Sequence, residues 1–109
     1  MMFTKQSDAT YRNLIDGVQL STLVYGEKTL MGQFRLAGGS DLPLHHHPYE
    51  QTGYLISGRI VITIDGVDHA AEPGDSWCIG ADVPHSARAL DDALVLEVFS
   101  PVREDYLPT

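Results

Sequence analysis

The chain has little positive charge and one cysteine, and it has no long hydrophobic run. Seven basic residues stand against fifteen acidic ones among 109 residues, giving a formal net charge of -8. Nucleic-acid binders need a basic surface, and anionic membrane surfaces repel an acidic protein, so we expect neither partner. The single cysteine, Cys78, excludes an internal disulfide and fits a reducing compartment.

No segment has the pattern of a targeting or membrane-spanning sequence. The first ten residues contain no apolar stretch typical of a signal peptide. The apolar runs elsewhere are far shorter than the roughly 20 residues that a transmembrane helix needs. A content of 43% apolar and 20% charged residues is ordinary for a globular domain. We therefore expect one acidic, cytoplasmic domain spanning residues 1–109.

Ten glycines and six prolines divide the chain into short segments with strand patterns. Residues 59–65 place isoleucines at alternate positions, and the Asp65-Gly66 pair that ends this segment is a strong hairpin signal. Similar strand-like segments are residues 17–25, 30–37, 67–71, 76–79 and 93–99. Seven or more short strands separated by Gly, Pro and Asp turns predict an all-β sandwich or barrel.

Three consecutive histidines are the most distinctive feature of the sequence. Because alternate residues of a strand share a face, His45 and His47 would point one way and His46 the other. Together with the distant His85, which follows a turn, this pair predicts a site for a divalent metal. Three other potential ligands are interpreted as exposed or structural residues rather than metal ligands: His46, His69 and Glu50.

The last predicted strand carries one acidic residue among apolar ones. Val95, Glu97 and Phe99 would share a face of this strand. A buried carboxylate costs several kcal/mol unless it is paired or lies near a cation. Two interpretations stay open for Glu97. It faces the interior beside the metal as a general acid or base, or it lies on an edge strand where it reaches water or an arginine. Phe99 either forms a wall of the pocket or belongs to the core.

Arg103 is the best candidate for binding an anionic substrate, because an acidic protein has few positive groups and Arg binds carboxylates bidentately. The alternative is a solvated charge paired with Glu104 or Asp105. Other side chains have weaker context: Arg35, Arg59 and Tyr54 are secondary candidates, and Trp77 and Cys78 are interpreted as packing residues.

Two segments resemble the two motifs of the cupin family. Residues 39–58 read Gly39-x5-His45-x-His47-x3-Gln51-x6-Gly58, with Gln where most cupins have Glu. Residues 74–89 read Gly74-x5-Gly80-x-Asp82-x2-His85-x3-Ala89. The resemblance implies a single-domain cupin over residues 1–109, a double-stranded β-helix or jelly-roll barrel. It also implies one divalent ion bound by His45, His47, Gln51 and His85.

The neutral Gln51 has a chemical consequence for this site. Three imidazoles and an amide oxygen leave a bound cation its full charge, whereas a carboxylate would cancel one unit. A strongly charged cation suits binding a carboxylate or an enolate oxygen better than redox cycling. Nickel, zinc, iron and manganese are all compatible with these ligands.

A closer similarity, to the pectin degradation protein family, extends over nearly the whole chain. It is carried by four segments, which are residues 45–54, 73–77, 83–87 and 98–107. This resemblance implies a homodimeric isomerase that linearises 4,5-unsaturated monouronates from pectin or alginate into 5-keto-4-deoxyuronate. The acid, aromatic and arginine of the family's active site fall on Glu97, Phe99 and Arg103, with Glu97 in place of an Asp.

Three other functions are also compatible with these residues. The first is another metal-dependent isomerase or lyase, and the second is a cupin dioxygenase that uses iron or copper. The third is a non-enzymatic sugar-sensing cupin, and the absence of a helix-turn-helix segment would make it a sensing module only.

Overall fold

The computed structural model describes residues 2–108, and in this range nearly all regular structure is β-strand. The strands are β1 (Arg12–Ile15), β2 (Val18–Tyr25), β3 (Leu30–Leu36), β4 (Asp41–His45), β5 (Glu50–Ser57), β6 (Ile60–Ile64), β7 (Val67–Ala71), β8 (Ser76–Ile79), β9 (His85–Ala89) and β10 (Ala93–Ser100). Two short 3-10 helices, Gln6–Asp8 and Glu104–Tyr106, lie outside them. No helix within residues 2–108 has the length and apolar character needed to cross a bilayer.

The strands form two antiparallel sheets that face each other. The larger sheet has the order β1-β2-β3-β10-β5-β8, and the smaller has the order β4-β9-β6-β7. The core between them contains buried side chains from both sheets, among them Leu20, Leu55 and Phe99 from the larger sheet and Ile60 and Ile62 from the smaller. This arrangement confirms the predicted all-β jelly roll.

The β6–β7 hairpin forms as the sequence predicts. Asp65 and Gly66 have φ values of 49° and 81°, as a two-residue hairpin turn with two positive φ angles requires. The hairpin pairs Ile64 with Val67 and continues to Ile60 opposite Ala71. Ile60 and Ile62 are buried on one face, as their alternation indicates.

Strand β10 occupies the middle of the larger sheet, between β3 and β5. The interpretation of this segment as an edge strand is therefore wrong. Its burial alternates strictly, and Val95, Glu97 and Phe99 all face the interior. Glu97 is thus removed from water by both sheets.

The chain beyond β10 folds back over the open end of the barrel. The 3-10 helix brings the Tyr106 ring against Phe99, with centroids 5.4 Å apart, and against Phe34, with centroids 5.9 Å apart. This packing holds Arg103, which precedes the helix, beside the barrel interior.

Candidate metal centre and active site

Three imidazoles meet at one end of the barrel. His45 is the last residue of β4 and lies opposite His85, the first residue of β9. His47 follows two residues after β4, in a loop rather than on the strand, so the prediction that both histidines share a strand is wrong. The three still converge, because one potential ligand atom from each lies within 4.8 Å of the others.

Each of these imidazoles is oriented by a backbone carbonyl. The Nδ1 atoms of His45, His47 and His85 lie 2.7, 3.0 and 2.8 Å from the carbonyl oxygens of Pro43, Tyr49 and Val83. A carbonyl oxygen only accepts, so each Nδ1 carries the hydrogen and each Nε2 keeps a lone pair. This is the arrangement that fixes the ring of a metal-ligating histidine.

Gln51 extends this group of ligands from the larger sheet. Its Oε1 lies 2.7 Å from His47 Nε2, and its Nε2 donates to Glu97 Oε2 at 3.0 Å. With the hydrogen of His47 on Nδ1, two lone pairs face each other across that 2.7 Å gap. Such a contact needs a proton or a cation between the two atoms, and a cation bound there would take Gln51 as a ligand.

The chemistry of the site fits a divalent metal ion. The Nε2 atom of His85 is buried and has no hydrogen-bond partner among the described residues, which a bound cation would correct. Burial lowers the pKa of His47 and of His85, and the nearby positive charge of Arg103 lowers both further. These lowered pKa values favour the neutral form of both rings, the form in which histidine binds metals.

Glu97 lies beside this centre, on the central strand of the larger sheet. Its neighbours on β3 and β5 are Gly32 and Gly53, so no side chain flanks it on either strand. Burial raises the pKa of Glu97 to about 8, although hydrogen bonding to Gln51 and the nearby Trp77 and Arg103 oppose this rise. A carboxyl with such a pKa can release and accept a proton near neutral pH.

Trp77 belongs to the site, although its sequence context indicates only packing. It lies opposite Gly53 on β8, and its indole fills the place that a Cβ on Gly53 would occupy. The indole lines the same cavity as Glu97, and its N–H is buried without a well-aligned hydrogen bond within the described residues. The signal that identifies Trp77 is its pairing with a glycine, which leaves room for the indole. This pairing can be recognised only when the register of β5 and β8 is known.

Arg103 forms the ion pair with Asp105 that one interpretation gives it, but its side chain is largely buried rather than solvated. That side chain is 12% exposed. Its guanidinium lies 3.8 Å from the ring centre of Tyr106 and 5.0 Å from that of Phe99. Arg103 also lines the cavity that contains Glu97 and His85.

Phe99 lines this cavity and is also a core residue, since it is 2% exposed and packs against His47 with centroids 6.0 Å apart. Both interpretations of Phe99 therefore hold.

The weaker candidates lie outside the cavity. Arg35 stacks on Tyr11, with 3.8 Å to the ring centre, and Arg59 pairs with Asp91 at 2.8 Å. Several other side chains are exposed: His46, Glu50, Tyr54, His69 and Cys78. Cys78 is therefore not the packing residue that its strand suggests.

Comparison with known proteins places this geometry in a family. Residues 32–100 match the Cupin domain family. The pectin degradation protein KdgF of Dickeya dadantii (strain 3937) is 24% identical over 102 residues, which cover 92% of this chain and 93% of the relative.

Two solved structures are also similar to this chain. KdgF from a Halomonas species is 25% identical with a TM-score of 0.93, over 98% of this chain and 99% of that one. An RmlC-like cupin from Shewanella frigidimarina NCIMB 400 shares the fold at 22% identity and a TM-score of 0.94, over 98% of this chain and 96% of that one. The chain belongs to the cupin family, and it is similar over nearly its whole length to two KdgF proteins.

Proposed function

We propose that this protein opens the ring of 4,5-unsaturated monouronates released from pectin or alginate and converts them to 5-keto-4-deoxyuronate. The observation that carries the proposal is the link through Gln51, which joins the histidine cluster to the buried carboxyl of Glu97. A proton-transfer group and a candidate cation site thus lie side by side, with Arg103 lining the same cavity. The similarity to a pectin degradation protein supports the substrate class.

The reaction is an isomerisation in which one proton is lost from the C1 hydroxyl and one is added to C4. The C1 hydroxyl loses its proton, the bond between C1 and the ring oxygen breaks, and C1 becomes an aldehyde. The electron pair of the broken bond stays on the ring oxygen and forms an enolate at C5. Protonation of C4 then converts the enolate to a ketone, so no oxidant or co-substrate is consumed.

Glu97 would perform both proton transfers. In its ionised form it accepts the proton of the C1 hydroxyl, and as a neutral acid it returns a proton to C4. Its pKa of about 8, raised by burial, makes both forms accessible near neutral pH. Gln51 orients the carboxyl by donating to Oε2.

Arg103 would bind the substrate carboxylate and orient the ring toward Glu97. A guanidinium provides paired donors that match the geometry of a carboxylate. A divalent cation held by His45, His47, Gln51 and His85 would supply positive charge that stabilises a developing oxyanion.

The assembly and location are further parts of this proposal. We propose a cytoplasmic homodimer that binds neither nucleic acid nor membranes, as the family resemblance and the net charge of -8 favour. Tyr54 and Ile56, which are 47% and 40% exposed, offer apolar surface on β5 for a subunit contact. Light scattering coupled to size exclusion should give twice the chain mass of 12.0 kDa, and a monomer at all concentrations would contradict the dimer.

The activity test follows the ultraviolet absorbance of a 4,5-unsaturated galacturonate, since ring opening removes the conjugated double bond. We expect rapid loss above the protein-free background, abolished by a chelator and restored by a divalent metal. Glu97→Gln should lose about 100-fold to 10,000-fold in rate, the usual contribution of a general acid–base group. Glu27→Gln, an exposed turn residue, should behave as wild type.

Two outcomes would contradict the proposal. Metal-loaded protein that does not accelerate the absorbance loss would remove the activity, and oxygen uptake or turnover-free sugar binding would then support the dioxygenase or the sensor. A Glu97→Gln variant with the wild-type rate would remove the proton-transfer role of Glu97 while leaving the substrate assignment intact.

A further inference from the structure

Arg103 is held along one edge of its guanidinium group. Its Nε donates to Asp105 Oδ1 at 3.2 Å and its Nη2 donates to Asp105 Oδ2 at 2.8 Å. A guanidinium has five N–H donors in a plane, and this bidentate contact uses one from Nε and one from Nη2. Both hydrogens of Nη1 and the second hydrogen of Nη2 remain, so the end of the fork can still bind a second carboxylate.

The surroundings of Arg103 restrict its rotation. The Tyr106 ring centre lies 3.8 Å from the guanidinium carbon, and the ring centres of Phe99 and Tyr49 lie 5.0 and 5.2 Å from it. Aromatic rings favour a stacked guanidinium. With the rings beside it and Asp105 along one edge, the group has little freedom to turn within its own plane.

Asp105 is itself anchored to the body of the protein. Arg12, on β1, donates from Nη2 to the backbone oxygen of Asp105 at 2.7 Å. Partial burial is the largest single influence on the Asp105 carboxyl and alone would raise its pKa, but the hydrogen bond from Arg103, the charges of Arg103 and Arg12 and a backbone hydrogen bond together lower the pKa. Asp105 therefore carries a negative charge at neutral pH and stays in place.

The different exposure of the two partners keeps the positive charge effective inside the cavity. The side chain of Arg103 is 12% exposed, whereas that of Asp105 is 54% exposed. Water screens an exposed charge strongly and a buried one weakly. Asp105 can thus orient Arg103 without cancelling its field on the cavity side, where Arg103 acts on His47, His85 and Glu97.

We propose that Asp105 is a positioning residue, which turns the free end of the Arg103 guanidinium into the cavity so that it binds the carboxylate of a monouronate. The inference rests on the proposed function, which it deepens by assigning the group that sets the preference for an acidic over a neutral sugar. Asp105 does not touch the substrate, so its effect acts through Arg103.

The chain contains a matched control for this ion pair. Arg59 contacts Asp91 through the same two nitrogen atoms, at 2.8 Å from Nε and 3.3 Å from Nη2. In this pair both side chains are exposed, at 58% and 47%. Asp91→Asn therefore changes the same chemical contact at a pair whose two residues do not line the cavity.

The experiment compares wild type, Asp105→Asn, Asp105→Glu and Asp91→Asn in metal-loaded protein. We expect Asp105→Asn to raise KM for 4,5-unsaturated galacturonate about tenfold, one lost charged hydrogen-bond contribution, with a much smaller change in kcat. Asp105→Glu should recover part of the loss, and Asp91→Asn should leave KM unchanged. Thermal unfolding of each variant checks that the fold is retained.

Calorimetric binding of galacturonate and of neutral galactose separates this inference from the proposed function. Wild type should bind galacturonate more tightly than galactose, and Asp105→Asn should remove most of that preference. If wild type shows no turnover but its galacturonate binding still depends on Asp105, the proposed function fails and the positioning role stands. Unchanged KM and unchanged galacturonate affinity in folded Asp105→Asn would overturn the inference, and a wild type that neither binds nor converts uronates would overturn both.

Discussion

The two sheets contribute chemically different groups to the same cavity. The smaller sheet supplies His45 and His85, neutral imidazoles from a pair of neighbouring strands. The larger sheet supplies Gln51 and Glu97, an amide and a carboxyl joined by a hydrogen bond. The smaller sheet therefore presents imidazole lone pairs suited to a cation, and the larger sheet adds an amide oxygen for the cation and a carboxyl suited to moving a proton.

The difference follows from where each strand lies in its sheet. Strand β4 is at the edge of the smaller sheet, and its last residue, His45, is exposed. Strand β10 is in the middle of the larger sheet, and Glu97 on it is buried. The exposed His45 is accessible from solvent, while burial on the central strand raises the pKa of the Glu97 carboxyl. Gln51 connects the two environments.

The largest expected effect separates metal binding from proton transfer. His85→Ala should weaken metal binding by more than about 100-fold, because even changes around metal ligands cost 10–100-fold. Glu97→Gln should keep a metal content near that of wild type while losing activity. Elemental analysis after dialysis measures the metal content of both variants, and the absorbance assay measures their activity. Substitution of the exposed His69 by Ala (His69→Ala) is the control. Equal metal loss in Glu97→Gln and His85→Ala would break the division between the sheets.

A second effect concerns the stability of the metal-free protein. The pKa of Glu97 is raised from 4.5 to about 8 in the folded state by burial, so between these pH values the unfolded chain ionises while the folded chain holds the proton. The unfolded state then binds fewer protons, and stability falls as pH rises, by up to about 1.4 kcal/mol per pH unit.

Glu97→Gln removes this dependence. In the presence of a chelator, the variant should gain in free energy of unfolding relative to wild type as the pH increases from 4.5 to 8. Denaturant titrations across this range provide the measurement, with Glu27→Gln as the control. If the difference in free energy of unfolding between wild type and Glu97→Gln stayed constant over this pH range, Glu97 would be ionised throughout. Its burial would then not raise its pKa.

The smallest expected effect tests the glycine beneath Trp77. A Cβ on Gly53 would overlap the indole, so Gly53→Ala should cost about 1–3 kcal/mol of stability, as overpacking does. Gly26→Ala has no atom within 4 Å of its new Cβ and should change little. Trp77 is the only tryptophan, so its fluorescence reports the displacement directly. Unchanged emission and stability in Gly53→Ala would mean that the larger sheet tolerates a side chain beside Glu97.

Local signals predict the fold where neighbouring residues decide the structure. The β6–β7 hairpin follows from one Asp-Gly pair and alternating isoleucines, and β7 and β8 have the predicted bounds. Strand β1 is not predicted, although Asp16-Gly17, the same dipeptide, precedes β2. Gly17 has a φ of 77°, so the hairpin signal was present there too.

The candidate site is predicted less completely, because its contacts join distant parts of the chain. The spacing of His45, His47 and His85 identifies the imidazoles, but His47 reaches the site from a loop. The part played by Trp77 depends on its pairing with Gly53, 24 residues earlier in the numbering. Residue type alone does not reveal which strand lies beside which.

The sequence by itself determined the residue types of the site and the shared strand face of Val95, Glu97 and Phe99, because periodicity and short-range turns depend on neighbouring residues. Only the tertiary structure decided that β10 is a central strand, that the indole of Trp77 covers Gly53, and that Asp105 holds one edge of Arg103. Those features arise from long-range strand pairing and from the return of the chain over the barrel. The pKa of Glu97 depends on them, since burial by both sheets sets it.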